Sequence, residues 1–68
     1  MNLILGTTAD GAEVFYTGRA GDGWVSADVK EAFRYDSLEQ ARRKAMIFNQ
    51  ATPLHGIRFM VPCGERTF

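Results

Sequence analysis

Apolar positions along this chain switch between a two-residue and a 3.6-residue period, and the switches divide it into elements. Residues 2–7 (NLILGT) form a short apolar run, and residues 13–17 (EVFYT) form a second one rich in β-formers. The intervening TADGA carries Asp10-Gly11, a pair that tolerates the positive φ of tight turns, so the two runs are predicted to form an antiparallel hairpin. In the second run Val14 and Tyr16 share one face while Glu13, Phe15 and Thr17 share the other. Apolar residues on both faces suggest a central strand, or one whose outer face is partly covered. Residues 18–23 (GRAGDG) read as a loop, and Trp24-Val25-Ser26 as a brief strand or the anchor of that loop. Residues 27–31 (ADVKE) fit either one helical turn, capped by Asp28 with Glu31, or a polar connection. Phe33 and Tyr35 then alternate with Arg34, which predicts a strand over residues 32–35.

The helical period begins directly after that segment. Ser37 stands at an N-cap position with Gln40 three residues on, the spacing of a capping box, so the helix is predicted over residues 38–49. At about 100° per residue, Leu38, Ala41, Ala45 and Phe48 fall within an arc of about 80° and form the buried stripe. Alanine at its two central positions lets the helix axis approach a sheet closely. The inward face of the junction is thus Phe33, Tyr35, Leu38, Ala41, Ala45 and Phe48. Ile47 is out of place, about 180° from Leu38 where a polar residue belongs. Thr52-Pro53 is expected to end the helical region, because a residue before proline disfavours the α conformation. Ile57, Phe59 and Val61 alternate with Arg58 and Met60 as a last half-buried strand, stopped by Pro62. The fold class is α+β: a small antiparallel sheet of three to four strands with one helix packed on one face, in the order β-β-(β)-β-α-β. Residues 1–62 are expected to form the single domain, and residues 63–68 a loosely ordered tail.

Size and charge narrow the possibilities. A chain of 68 residues is one domain near the lower limit for unaided folding. Eight Lys and Arg balance eight Asp and Glu, which argues against a dedicated nucleic-acid binder with a basic surplus. The single Cys63 excludes a disulfide within the chain and a zinc site built from several cysteines. It also fits a reducing compartment. No window has the ~20 apolar residues of a membrane span. Met1-Asn2 leads directly into the first expected strand, so neither a signal peptide nor a membrane association is expected, and a cytoplasmic location is.

Chemistry-bearing groups are scarce. The loop Gly18-Arg19-Ala20-Gly21-Asp22-Gly23 has the spacing G-x-x-G-x-G and is followed by Trp24-Val25, not by a helix. It therefore lacks the G-x-G-x-x-G and helix N-terminus that cradle a phosphate. His55 and Cys63 flank the same predicted strand, about 20–25 Å apart if it is extended, too far for a nucleophile and its base. The carboxylates are spread singly along the chain, with no pairing suited to acid–base work. No catalytic residue, metal-ligand set or cofactor site is identified, and an enzyme is not expected.

Two surface features remain. Arg42, Arg43 and Lys44 fan around the exposed side of the helix, and Arg34 and Arg58 extend that patch if they point the same way. A sheet with a single helix leaves one face open, and Phe15, with Tyr16 or Trp24 depending on register, is a candidate to project from it beside Arg34 and Arg58. Aromatics with arginine suit a protein interface, and in chemistry they also suit single-strand RNA stacking. The competing expectation is that Trp24 folds back to complete the small core. The candidate partner-binding residues are therefore Phe15, Trp24, Arg34, Arg42, Arg43, Lys44, Ile47 and Arg58. Their expected partner is a protein or a second copy of the chain, with nucleic acid as the alternative.

The stretch from Tyr16 to Phe59 contains TGRAG-x-GW, EAF-x-Y-x-S-x-x-x-ARRKA-x-x-FN and TP-x-HG-x-x-F. In these it resembles small proteins of bacterial and prophage genomes to which no activity is assigned. The resemblance covers about two thirds of the chain. It implies a stand-alone accessory protein in a bacterial or phage setting, and brings no cofactor or functional residue with it.

Overall fold

The structure is a computed structural model that describes residues 2–62; the expected loose tail, with Cys63, lies outside the described residues. Strands β1 (Leu5–Thr7), β2 (Glu13–Tyr16) and β3 (Val25–Ser26) precede helix α1 (Leu38–Gln50), a short helix α2 (Thr52–His55) and strand β4 (Arg58–Met60). Two 310 turns, Gly21–Gly23 and Val29–Glu31, sit in the connections. The sheet is four-stranded and antiparallel, in the order β3-β2-β1-β4. The α+β class stands, and the bracketed strand exists as β3 over Val25–Ser26, with Trp24 closing the 310 turn before it.

The hairpin forms around Asp10-Gly11, closed by the Thr8 N–H donating to the Ala12 carbonyl at 2.9 Å. The Thr8 hydroxyl donates to the Asp10 carboxylate, which holds that carboxyl below its ordinary range. Residues 32–35, in contrast, do not make a strand. Their backbone is split between two hosts: the Phe33 N–H donates to Tyr16 O at 2.8 Å, while Tyr35 exchanges a single bridge with Asn2. A four-residue alternation cannot form a ladder when its bonds go to different strands. Phe33 is consequently 45% exposed, not inward. Its ring lies against Gly18, where a Cβ would come within 2.5 Å of it. Gly18 also holds φ +80°, so the loop needs glycine there twice over.

The helix starts as its capping signal predicts, with the Ser37 hydroxyl accepting the Gln40 N–H at 3.3 Å. Ala41 and Ala45 are buried against Ile4, Ile57 and Phe59, with Phe48 packed beside them. Pro53 does not simply stop the helical region. It falls in the first turn of α2, where a missing N–H costs nothing, and Ala51 breaks the path between the helices. His55 then ties the corner together. Its Nδ1 accepts the Ile57 N–H at 3.0 Å, which leaves the Nε2–H to donate to Phe48 O at 2.9 Å. His55 is thus a backbone clasp.

The sheet is covered on both sides. Ile4 packs under α1, while Leu3, Leu5 and Phe15 pack on the other face against Ala32 and Val29 of the second 310 turn. Gly6 makes the helix side fit: a Cβ there would lie 2.8 Å from both Ile57 and the Phe59 ring. Asn49 protects the outer edge of β4. Its amide donates to Phe59 O at 2.8 Å and accepts the Phe59 N–H at 2.7 Å, so one side chain takes the place of a neighbouring strand.

Two expected outcomes follow from this packing. Gly6→Ala forces Phe59 and Ile57 outward and should lower stability by about 1–3 kcal/mol in urea unfolding. Asn49→Ala leaves both edge groups of Phe59 without their partner and should cost about 1–2 kcal/mol. In the same variant, amide hydrogen exchange should speed up selectively at Phe59.

Candidate partner-binding surface

Helix α1 has a second stripe opposite its buried one. Gln40, Arg43, Lys44 and Ile47 are spaced i, i+3, i+4 and i+7, which stacks them along one solvent-facing side. Tyr35 rises beside them because its backbone is pinned to the start of the chain: the Asn2 N–H donates to Tyr35 O at 3.0 Å, and the Tyr35 N–H donates to Asn2 O at 2.6 Å. Together these five side chains line an open groove of about 280 Å³. Ile47 contributes its apolar wall and is 54% exposed.

The charges around the groove are not equivalent. Arg43 is tied to Glu39, with Nη2 to Oε1 at 2.6 Å, in the i,i+4 arrangement that its spacing predicts. Lys44 lies with its ammonium 5.6 Å above the Phe48 ring centroid, its stem laid along the helix. Among the described residues the ion pairs are Arg43–Glu39 and Arg19–Glu31, and no carboxylate reaches Lys44, Arg34, Arg42 or Arg58. Burial raises the Tyr35 phenol above its ordinary value, and the neighbouring Tyr16 adds to the effect. Tyr35 therefore stays a protonated O–H donor at the groove well into the alkaline range.

The eight sequence candidates separate into different places. Phe15 is only 5% exposed, packed with Leu3, Leu5 and Ala32; the face expected to be open is covered by the segment after β3, so Phe15 is not a surface residue. Trp24 is half-buried on the helix side, its ring 5.4 Å from Phe48, 5.3 Å from His55 and 5.6 Å from Phe59. It completes the core, as the competing expectation had it. Arg58 alternates with the buried Phe59, so it and Met60 point to the face away from α1. The basic residues therefore do not gather into one patch. Arg34 and Arg42 are exposed, and Arg43, Lys44 and Ile47 come together at the groove.

Gln40, assigned by its position to the helix cap, and Tyr35, assigned to the inward face, both line the groove; Tyr35 also packs half-buried against the Ile4–Ala41 cluster, in keeping with the inward assignment. For Gln40 the helical angle shared with Lys44 was the available signal. Tyr35 had none, because its position depends on the long-range bridge to Asn2. Exposed Leu54, at 89%, stands on α2 apart from the groove lining, and single exposed hydrophobics are ordinary. Among the described residues no group of three or more His, Cys, Asp or Glu is placed to hold a metal, and no helix is long and apolar enough to cross a membrane. Comparisons with family models, curated proteins and solved structures returned no match.

The state of Tyr35 gives a pH test. Its folded-state pKa lies above the ordinary 10.0, so the folded protein holds this proton more tightly than the unfolded chain. The associated stability is present below pH 10.0 and is lost as the pH rises from there through the folded value. Urea unfolding midpoints should fall over that window, and the fall should be smaller in Tyr35→Phe.

Proposed function

We propose that this chain is a small non-enzymatic interaction module that binds a protein partner through the outward stripe of α1. The observation that carries the reading is Ile47, a half-exposed β-branched residue set beside Tyr35 in a concavity rimmed by Arg43 and Lys44. Tyrosine and arginine around an apolar anchor are what protein interfaces concentrate. The resemblance to small bacterial and prophage proteins fits an accessory role, and the lone cysteine fits a reducing cytosol. Nucleic-acid binding is the weaker reading, since Glu39 neutralises Arg43, Arg58 lies on the opposite face and the chain has no net charge.

A displayed random-peptide library, panned on the protein and depleted on Ile47→Ser, tests the reading. Ile47 is exposed enough for this variant to keep its fold, which its thermal unfolding should show by a change within about 0.5 kcal/mol. Enriched peptides should shift the backbone amide resonances of Tyr35, Lys44 and Ile47. If enriched peptides map elsewhere, or bind the variant equally well, the reading fails. Sedimentation that finds a dimer with Ile47 buried would instead make the stripe a self-interface.

A further inference from the structure

We infer that the segment recognised by this groove presents one apolar side chain flanked by carboxylates. The inference rests on the reading of the groove as a partner-binding surface and specifies the chemistry of the partner. The size of the groove sets the first constraint. At about 280 Å³ it lies just below the ~300–1,000 Å³ of drug-sized ligand sites, and it is shallow and broadly open to solvent. Such a concavity suits a single anchoring side chain against Ile47, with the rest of the segment running over the rim.

The rim sets the second. Every polar side chain there can donate: the Lys44 ammonium, the Arg43 guanidinium, the Gln40 amide and the Tyr35 hydroxyl. Lysine and arginine have no acceptor to offer in return. Glu39 uses part of the Arg43 fork, but no described carboxylate answers Lys44, whose ammonium is already positioned over Phe48. Among the described residues, the groove thus carries one positive charge, on Lys44, without a carboxylate partner beside an apolar wall. An acceptor-rich anionic segment complements it, and a basic one would meet like charge.

Nucleic acid supplies acceptors too, but it fits the rest poorly. A phosphate backbone is followed by a run of cations, whereas Arg58 is on the far face of the sheet. Base stacking needs free ring faces, and here the rings of Phe33 and Tyr35 pack on each other edge to face, 4.7 Å apart. The aliphatic Ile47 offers no stacking surface. An acidic peptide segment is therefore the occupant that charge and shape favour.

The test is an amide-shift titration of the isotopically labelled protein with three probes. They are the capped peptide Glu-Glu-Leu-Glu-Glu, its Gln-Gln-Leu-Gln-Gln counterpart and a short oligothymidylate. The acidic peptide should move the resonances of Tyr35, Gln40, Lys44 and Ile47, and binding should weaken as salt is raised. Lys44→Met keeps the stem over Phe48 while removing the charge, and should weaken binding about three- to five-fold, the upper range for one exposed ion pair. Ile47→Ser should abolish the shifts. Equal binding of the glutamine peptide at these amides would overturn the carboxylate requirement while leaving the interaction-module reading intact. Tighter binding of the oligothymidylate, or no groove shift with the acidic peptide, also overturns the inference. The module reading itself falls only if no panned peptide of any charge maps to this groove.

Discussion

Everything in this small domain follows from how closely α1 approaches the sheet. Ala41 and Ala45 present almost no side chain toward β4 and the start of β1, and the bare Gly6 opposite them gives the Phe59 ring its place. Larger residues at any of these positions would lift the helix and leave voids that so short a chain has no spare side chains to fill. The close approach also brings Asn49 to the edge of β4, where its amide satisfies both backbone groups of Phe59. It brings Phe48 within reach of Tyr16, Trp24 and Phe59, so the aromatic residues form one connected cluster beside the alanine contact.

A second layer makes the sheet a true interior. The connection after β3 crosses the face away from α1, and its 310 turn seals Leu3, Leu5 and Phe15 with Val29 and Ala32. Phe33 emerges at the end of this strap, while Tyr35, held by its backbone bonds to Asn2, lies half-buried against the Ile4–Ala41 cluster. The apolar surface that a one-helix sheet would expose is thereby used for folding. What this covering leaves exposed is the outward stripe of α1, the surface of the proposed interaction, where the strap delivers Tyr35 beside Gln40, Lys44 and Ile47.

That stripe mixes residues fixed by the fold with residues free to act. Arg43 is paired with Glu39 and the Lys44 ammonium lies over Phe48, so both charges have neighbours within the chain. Ile47 has no packing role that accounts for it. Pre-positioned donors around an exposed apolar residue lower the ordering cost of binding, which matters for a domain with little stability to spare.

The sequence by itself determined the elements whose signals are local: the Asp10-Gly11 hairpin, the Ser37 cap, the alanine stripe and the misplaced Ile47. Each depends on residues within a turn or two of one another, where capping, turn conformation and periodicity act directly. Only the tertiary structure decided the fates of Phe15, Trp24, Tyr35 and Arg58. Period-two alternation says that neighbouring side chains face opposite ways, but not which face is covered or by what. The strap at residues 27–35 covers Phe15, the seating of Phe59 under α1 turns Arg58 to the other face, and the Asn2 bridge sets Tyr35 at the groove. Those outcomes depend on contacts between segments distant in the chain, and local pattern carries no information about them.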